Sequence, residues 1–424
     1  MTSLNASSTI TAIGQTNKST FLLLGGTNFL NPGIPWNPYL TYQYIFNYKI
    51  SQQTLIALNG KLPGTPTVTK INNFLQDSFS STLKTYACGD FTIGTAKNLA
   101  YIQNGTWFTL GLTFPVAAGN AVTCMAFNET TKIPTLMYIG GRFSSVTDSS
   151  SSVSNADNFA IINITTNKVI TSPATATPPA NYIINSLIKI GTTIYAGGTT
   201  LITGGNVFFA SYNITTNTWT TISNTFPGTI NTVVQITPTL IALGGQFTSL
   251  ETATNCNNIV FYDISVPATP VWNYFGAAAP YGVYDVAPVD APYTSAQIFT
   301  ITSLTISTSI YIFIGGYFVN AGGILCNSIV IYDNTTNDWT PYVRSGITGV
   351  LYNNYVGYTT TNPGVVYSLV ITASDSSNVV VGGLFVVALT PDTPTDYTYN
   401  LFRITTSIAI PKAYNQYYGK TITI

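Results

Sequence analysis

The stretch at residues 309–340 constrains this 424-residue chain more than any other, because weaker copies of it recur from one end to the other. An apolar run at 310–314 leads into Gly315-Gly316, with Phe318 two residues on. A second apolar run at 328–332 ends at Asp333, followed by Asn334-Thr335-Thr336-Asn337 and then Trp339, seven residues after Tyr332. Short runs rich in Ile, Val and aromatics, bounded by Gly and Asn/Thr clusters, read as strands. The polar cluster reads as a turn, because Asn, Asp and Thr hydrogen-bond their own backbone. Three strands of an antiparallel meander follow. The double glycine has a packing reason: where strands of neighbouring sheets approach closely, a Cβ would clash.

Double glycines or their relics stand at Gly25-Gly26, Cys88-Gly89, Gly140-Gly141, Gly197-Gly198, Gly244-Gly245, Gly315-Gly316 and Gly382-Gly383. Phe29, Phe91, Phe143, Phe247, Phe318 and Phe385 follow in six copies; the fourth has Thr199 and Thr200 instead. Tyr212 precedes Trp219 as Tyr332 precedes Trp339, and the interval persists from Tyr48 to Leu55, Ile162 to Val169 and Phe402 to Ala409. Two copies drift, Tyr101 to Trp107 being one shorter and Tyr262 to Trp272 three longer.

A further strand precedes each double glycine, as at 182–189, 230–236 and 365–371. Each copy is then a four-stranded antiparallel sheet, which cannot bury both faces until it packs against its neighbours. The reading is all-β, a seven-bladed β-propeller in a single domain spanning 1–424. Its blades fall at about 8–60, 61–110, 120–172, 181–223, 229–276, 297–344 and 364–424. The succession GG, then Y-D, then T-N-x-W resembles the kelch repeat. Its Gly-Gly-x-Phe and N-x-I-V-x-Y-D variants look most like the kelch-related repeats of fungal cortical-polarity proteins and of repeat proteins encoded by large DNA viruses. That resemblance implies a propeller, and with it a binding platform or, less often, an enzyme.

Charged residues are 7% of the chain, and 14 basic side chains cancel 14 acidic ones. No net charge steers the protein to nucleic acid or an anionic membrane. Every apolar run is short and broken by Gly, Asn or Thr, so no transmembrane helix is expected. The N-terminal segment lacks a basic region and a long apolar core, and reads as mature structure with no signal peptide. A surface poor in charge suits a protein packed in an assembly, and we expect a virion or extracellular assembly, with synthesis in the cytoplasm. Sequons at Asn5, Asn17, Asn104, Asn128, Asn163, Asn213 and Asn334 read as by-products of Asn- and Thr-rich turns. The four cysteines read as buried free thiols, with a Cys256–Cys326 disulfide as the alternative.

Long insertions concentrate in two classes of connection. They join strands 2 and 3 within blades 1, 3 and 7, and they follow blades 5 and 6. Antiparallel order places both classes at the same end of the sheets. The serine-rich insertion at 144–154 reads as a mobile loop. Residues 344–363 read as a loop outside the blade pattern, and the alternating segment 420–424 as a strand completing a terminal blade. Trp36, Tyr281, Tyr284, Tyr352, Tyr355 and Tyr358 fall in these connections and are the candidate partner-binding residues. Tyrosines folded back over blade edges are the alternative.

The chain has no histidine, which removes the usual general base and the commonest transition-metal ligand. No catalytic residue, metal or cofactor is expected. Arg142, Arg344 and Arg403 could form a carboxylate clamp, but Arg403 belongs to a third strand. Asp285/Asp290 and Asp392/Asp396 are carboxylate pairs in loops; Asp263 and Asp333 read as turn caps. The favoured reading is a non-enzymatic structural or protein-interaction propeller, binding a protein partner through its long-loop face. A carbohydrate-binding, lectin-like propeller comes second and a glycan hydrolase or lyase third. A hydrolase would need two carboxylates flanking a sugar.

Overall fold

The computed structural model describes residues 9–15, 21–27, 45–49, 54–57, 67–77, 79, 84–93, 96–104, 106–114, 121–128, 132–148, 153–155, 158–170, 182–201, 205–265, 271–276, 281–284, 295–344, 347–348, 351–353, 358–371, 378–388 and 397–405. Every regular element among them is a β-strand, and the sheets are antiparallel. No helix among the described residues is long and apolar enough to cross a membrane. The segment 420–424 lies outside the described residues.

The chain divides into two compact units, one comprising Thr11–Thr27 and Tyr44–Pro238, the other drawn mainly from Thr239–Ile424. In the first, four four-stranded sheets follow the chain. They are Thr9–Gln15, Phe21–Thr27, Ile45–Lys49 and Thr54–Ala57; then Thr67–Gln76, Lys84–Ile93, Ala96–Gln103 and Thr106–Thr109. Ala121–Phe127, Leu136–Arg142, Phe159–Asn163 and Lys168–Ile170 make the third, and Tyr182–Ile190, Thr193–Thr200, Val207–Asn213 and Thr218–Ser223 the fourth. The strand Thr229–Thr237 packs against this fourth sheet. The second unit contains Leu240–Gln246, Ile259–Asp263 and Val271–Asn273. It continues with a four-stranded sheet of Gln297–Ile306, Ser309–Tyr317, Ile329–Asp333 and Asp338–Pro341. Its last sheet has five strands, Leu351–Asn353, Tyr358–Pro363, Val365–Ile371, Asn378–Ala388 and Tyr397–Thr405.

The glycines explain how the sheets stack. A Cβ on Gly197 would stand 2.5 Å from Ile230 Cγ2, and one on Gly140 2.7 Å from Ile184 Cγ2, both on the next first strand along the chain. Gly25 meets Ile71, and Gly315 meets Val366, in the same way. The second glycine of the pair serves a different contact: a Cβ on Gly198, Gly316 or Gly383 would run into a backbone carbonyl of its own sheet's first strand. Opposite the pair that first strand carries an extra residue, because Ile184 pairs with Gly198 and Ser186 with Gly197, leaving Asn185 bulged out. Thr123, Phe299, Tyr367 and Asn72 occupy the same bulge in their own sheets. Freed from the ladder, these side chains reach the neighbouring sheet. Asn72 Nδ2 donates to the Val122 carbonyl at 3.1 Å, Thr123 Oγ1 to that of Ile184, and Asn185 Nδ2 to that of Ile230 at 3.0 Å. Phe299 and Tyr367 instead pack ring to ring at 5.0 Å.

The turns between third and fourth strands follow the sequence closely. Asp333 Oδ1 accepts from the Thr335 and Thr336 amides, and Asn163 and Asn213 cap their turns identically. Asn167, Asn217 and Asn337 close them at positive φ. Tyr212 faces Trp219, Tyr262 faces Trp272 and Tyr332 faces Trp339 across the strands. In the second sheet Tyr101 pairs with Phe108, not with Trp107. The seven-residue interval is therefore kept there; Trp107 lies on the opposite face and is buried, with Phe108 41% exposed. Ala409 lies outside the described residues.

Two insertions are more ordered than their composition suggested. Ser145–Thr147 and Val153–Asn155 form a hairpin inside the serine-rich insertion, Val146 is fully buried, and Asp148 accepts from the Val169 amide. Residues 344–363 contribute Leu351–Asn353 and Tyr358–Pro363 to the last sheet, so backbone pairing draws them into the repeat. All four cysteines are buried free thiols; Cys256 and Cys326 each donate to a loop carbonyl, of Thr248 and Val319.

Candidate functional site

The best-built part of the long-connection end lies in the second unit, around Tyr281 and Tyr284. Gly282 sits at φ 72°, and a Cβ there would strike the carbonyls of Cys256 and Asn257, so glycine is required twice over. Asn257 Nδ2 donates to the Tyr281 carbonyl at 2.8 Å, and the Val283 amide donates back to the Asn257 carbonyl at 2.9 Å. On the other side Val283–Tyr284 pairs with Asn320–Ala321, which continues into Ile324–Leu325 through the tight turn at Gly322-Gly323. A connection following one set of strands is thus clamped between the 2-to-3 loops of two successive repeats.

The same stitch recurs wherever such connections are described. Thr113 and Thr147 exchange backbone hydrogen bonds of 2.8 and 2.9 Å, Asn206 bridges to Pro227, and Leu351 pairs with Val386. The two classes of connection therefore meet at one end of the sheets in each of these places.

Three side chains at the starts of third strands tie back to the chain that leads into the next sheet. Asn258, at φ 71°, accepts from the Phe247 amide through Oδ1 at 2.9 Å and donates through Nδ2 to the Val283 carbonyl at 2.8 Å. Asn158 does the same between Phe143 and Tyr182, and Ser328 Oγ reaches the Gly364 carbonyl at 2.5 Å. All three stand immediately before or at the start of a third strand, at positive φ. In the N-x-I-V-x-Y-D pattern this is the variable position after the asparagine, and no local signal marks its role, because its partners lie 24 to 36 residues away.

Of the expected partner-binding residues, Tyr281 and Tyr284 come together here. Tyr281 is half-buried and stacks on Tyr274, with ring centroids 4.3 Å apart and planes 20° from parallel. Tyr284 is half-buried within its short strand. Behind them Phe275 stacks on Phe261 at 3.7 Å and borders Tyr332 and Trp339, a buried aromatic base that holds the connection from below. Tyr352 and Tyr358 lie on paired strands of the last sheet, where Asn353 is opposite Tyr358. Trp36 and Tyr355 lie outside the described residues, as do Asp285, Asp290, Asp392 and Asp396.

Asp263 is a turn cap: the Ser265 amide donates to its carboxylate and holds its pKa below the ordinary value. Arg142 and Arg403 are exposed, on a second and a third strand. No group of three His, Cys, Asp or Glu side chains gathers among the described residues. The clamp around Gly282 thus brings two half-buried tyrosines, Tyr281 and Tyr284, together on one short connection.

No protein-family model matches the chain, and no curated protein matches it. Among solved structures it is similar to the extracellular domain of a hybrid two-component system from B. thetaiotaomicron, at 13% identity and a TM-score of 0.39. That match covers 74% of this chain and 37% of the other.

Proposed function

We propose that this chain is a seven-bladed propeller of kelch-like repeats, a non-enzymatic interaction or structural protein that binds a protein partner through its long-connection end. The observation that carries this reading is the stitching of the connections themselves. Val283–Tyr284 is held by backbone pairing to a neighbouring 2-to-3 loop, and Leu351–Asn353 by pairing within the last sheet, so the backbone that carries their aromatics needs little ordering on binding. Tyr anchors interfaces well because it buries a large rigid area and keeps a hydroxyl for the partner. The absence of histidine from the sequence and its low charge favour a packed assembly over catalysis, and a virion or extracellular assembly is the setting we assign.

The stacked pair Tyr274–Tyr281 favours one second reading, a lectin-like propeller in which a sugar ring packs on tyrosine rings. Cross-linking mass spectrometry on the native assembly, followed by binding assays with Tyr352, Tyr355 and Tyr358 replaced together by Ala, tests the first. Cross-links to one protein through this end, with at least roughly tenfold weaker binding by the triple variant, support it. A triple variant that binds normally refutes this surface. Saturable binding to a glycan array, lost on Tyr281→Ala, would replace protein by carbohydrate as the partner.

A further inference from the structure

The ends of the sheets away from the stitched loops carry a different feature. Where the first strands of the second, third and fourth sheets turn into their second strands, the chain leaves a cavity of about 320 Å³. Its walls are mainly apolar, with Phe127, Pro134 and Leu187 buried around it and Phe79 left 47% exposed at its edge. Ile133, next to Pro134, is 59% exposed. Apolar concavities of this size with a few polar groups are the usual form of a small-molecule site.

Two charged side chains line the described walls, and they are not equivalent. Asp77 is 4% exposed, its Oδ1 accepts from the Phe79 amide at 3.0 Å, and its own amide closes the hairpin on the Lys84 carbonyl. Its carboxylate belongs to the turn. Lys189, near the end of its strand, lines the wall and is half-exposed.

We propose that this cavity binds a small amphipathic anion, with an apolar ring or acyl body seated against Phe127, Pro134 and Leu187 and its carboxylate or sulfonate facing Lys189. An anion is favoured because the cation is the charge left open to a ligand, and one charge-assisted contact in an otherwise apolar site orients the ligand without demanding a second.

Two dyes of similar shape separate the apolar and charged parts: anilinonaphthalene sulfonate, and the neutral phenylnaphthylamine. On the full chain both should bind saturably at one site, read by fluorescence, while the protein keeps its cooperative thermal melt. Leu187→Trp fills the cavity and should weaken both by at least roughly tenfold. Phe79→Ser, at a half-exposed position where folding is little affected, should weaken both in the same direction. Lys189→Met should weaken the sulfonate about tenfold and leave the neutral dye unchanged. No saturable binding, or full affinity in folded Leu187→Trp or Phe79→Ser, overturns the site. Undiminished sulfonate binding by Lys189→Met, or tighter binding of a cationic dye of that size, overturns the anion.

Discussion

Asn258 Nδ2 donates to the carbonyl of Val283 at 2.8 Å, tying the start of one strand to a connection 25 residues further along the chain. The same side chain accepts from the Phe247 amide, and the residue sits at φ 71°. Its replacement separates two effects. Asn258→Gly keeps the backbone conformation and loses both bonds, which should cost about 2–4 kcal/mol of folding stability. Asn258→Ala loses the bonds and adds left-handed strain, a further ~1 kcal/mol. Urea denaturation of the two variants decides; equal midpoints would mean that the backbone conformation is not the constraint.

The two glycines of a pair should fail differently. Gly197→Ala places its methyl against Ile230, a side chain that can be trimmed, whereas Gly198→Ala drives it into the Ile183 carbonyl. Gly197→Ala should cost about 1–3 kcal/mol, and the Ile230→Val background should recover part of that. Gly198→Ala should cost more, with no recovery. A double-mutant cycle showing additivity for Gly197 and Ile230 would remove the contact from the account.

Burial pushes the Cys124 and Cys256 thiols up to about 12, and Cys88 well above its ordinary value. The folded pKa values lie above the unfolded one of about 8.5, so this contribution to stability is complete below that pH and is lost as pH rises from there toward about 12. Stability measured between about pH 8 and about pH 11 should fall, and Cys124→Ala with Cys256→Ala should flatten the decline after allowance for the tyrosines. A thiol reagent at neutral pH should label no cysteine in the folded chain and all four in urea. Rapid labelling of the native protein would contradict the burial.

The Tyr332 hydroxyl accepts from the Gly276 amide at 3.2 Å and donates to Asn337 Oδ1 at 2.8 Å. It joins a turn to the start of the 5-to-6 connection. Tyr332→Phe keeps the ring packed on Phe275 and Trp339 but leaves both partners without it, and should cost about 1–2 kcal/mol. Hydrogen exchange at the Gly276 amide should quicken in the same variant. An unchanged exchange rate would show that the bond does not hold the connection.

Much of the repeat was legible in the residues themselves. The spacing from Gly315-Gly316 to Phe318, Tyr332 and Trp339 located the strands. The cap role of Asp333 followed from its neighbours Thr335 and Thr336, and the packing purpose of the double glycine from glycine's missing Cβ. Each of these rests on interactions within a few residues, where side-chain type and spacing carry the information. The register error at Trp107 shows the limit: two adjacent aromatics both suited the position, and only pairing with Tyr101 and Ile102 sorted them between faces.

The candidate site was less legible. That the connections hold aromatic residues could be read, but that Val283–Tyr284 pairs with Asn320–Ala321, and Leu351 with Val386, could not. Backbone N–H and C=O groups are alike in nearly every residue, so this pairing leaves no mark on composition. The bulges at Asn72, Thr123 and Asn185 were hidden for the same reason, their partners Val122, Ile184 and Ile230 lying some 45 to 61 residues away. Sequence by itself determined the strands, the turns and the positions that must be glycine, because those depend on local geometry. Tertiary structure alone decided which sheet each glycine faces, which loops are bound together and where a cavity opens, because those depend on register between segments far apart in the chain.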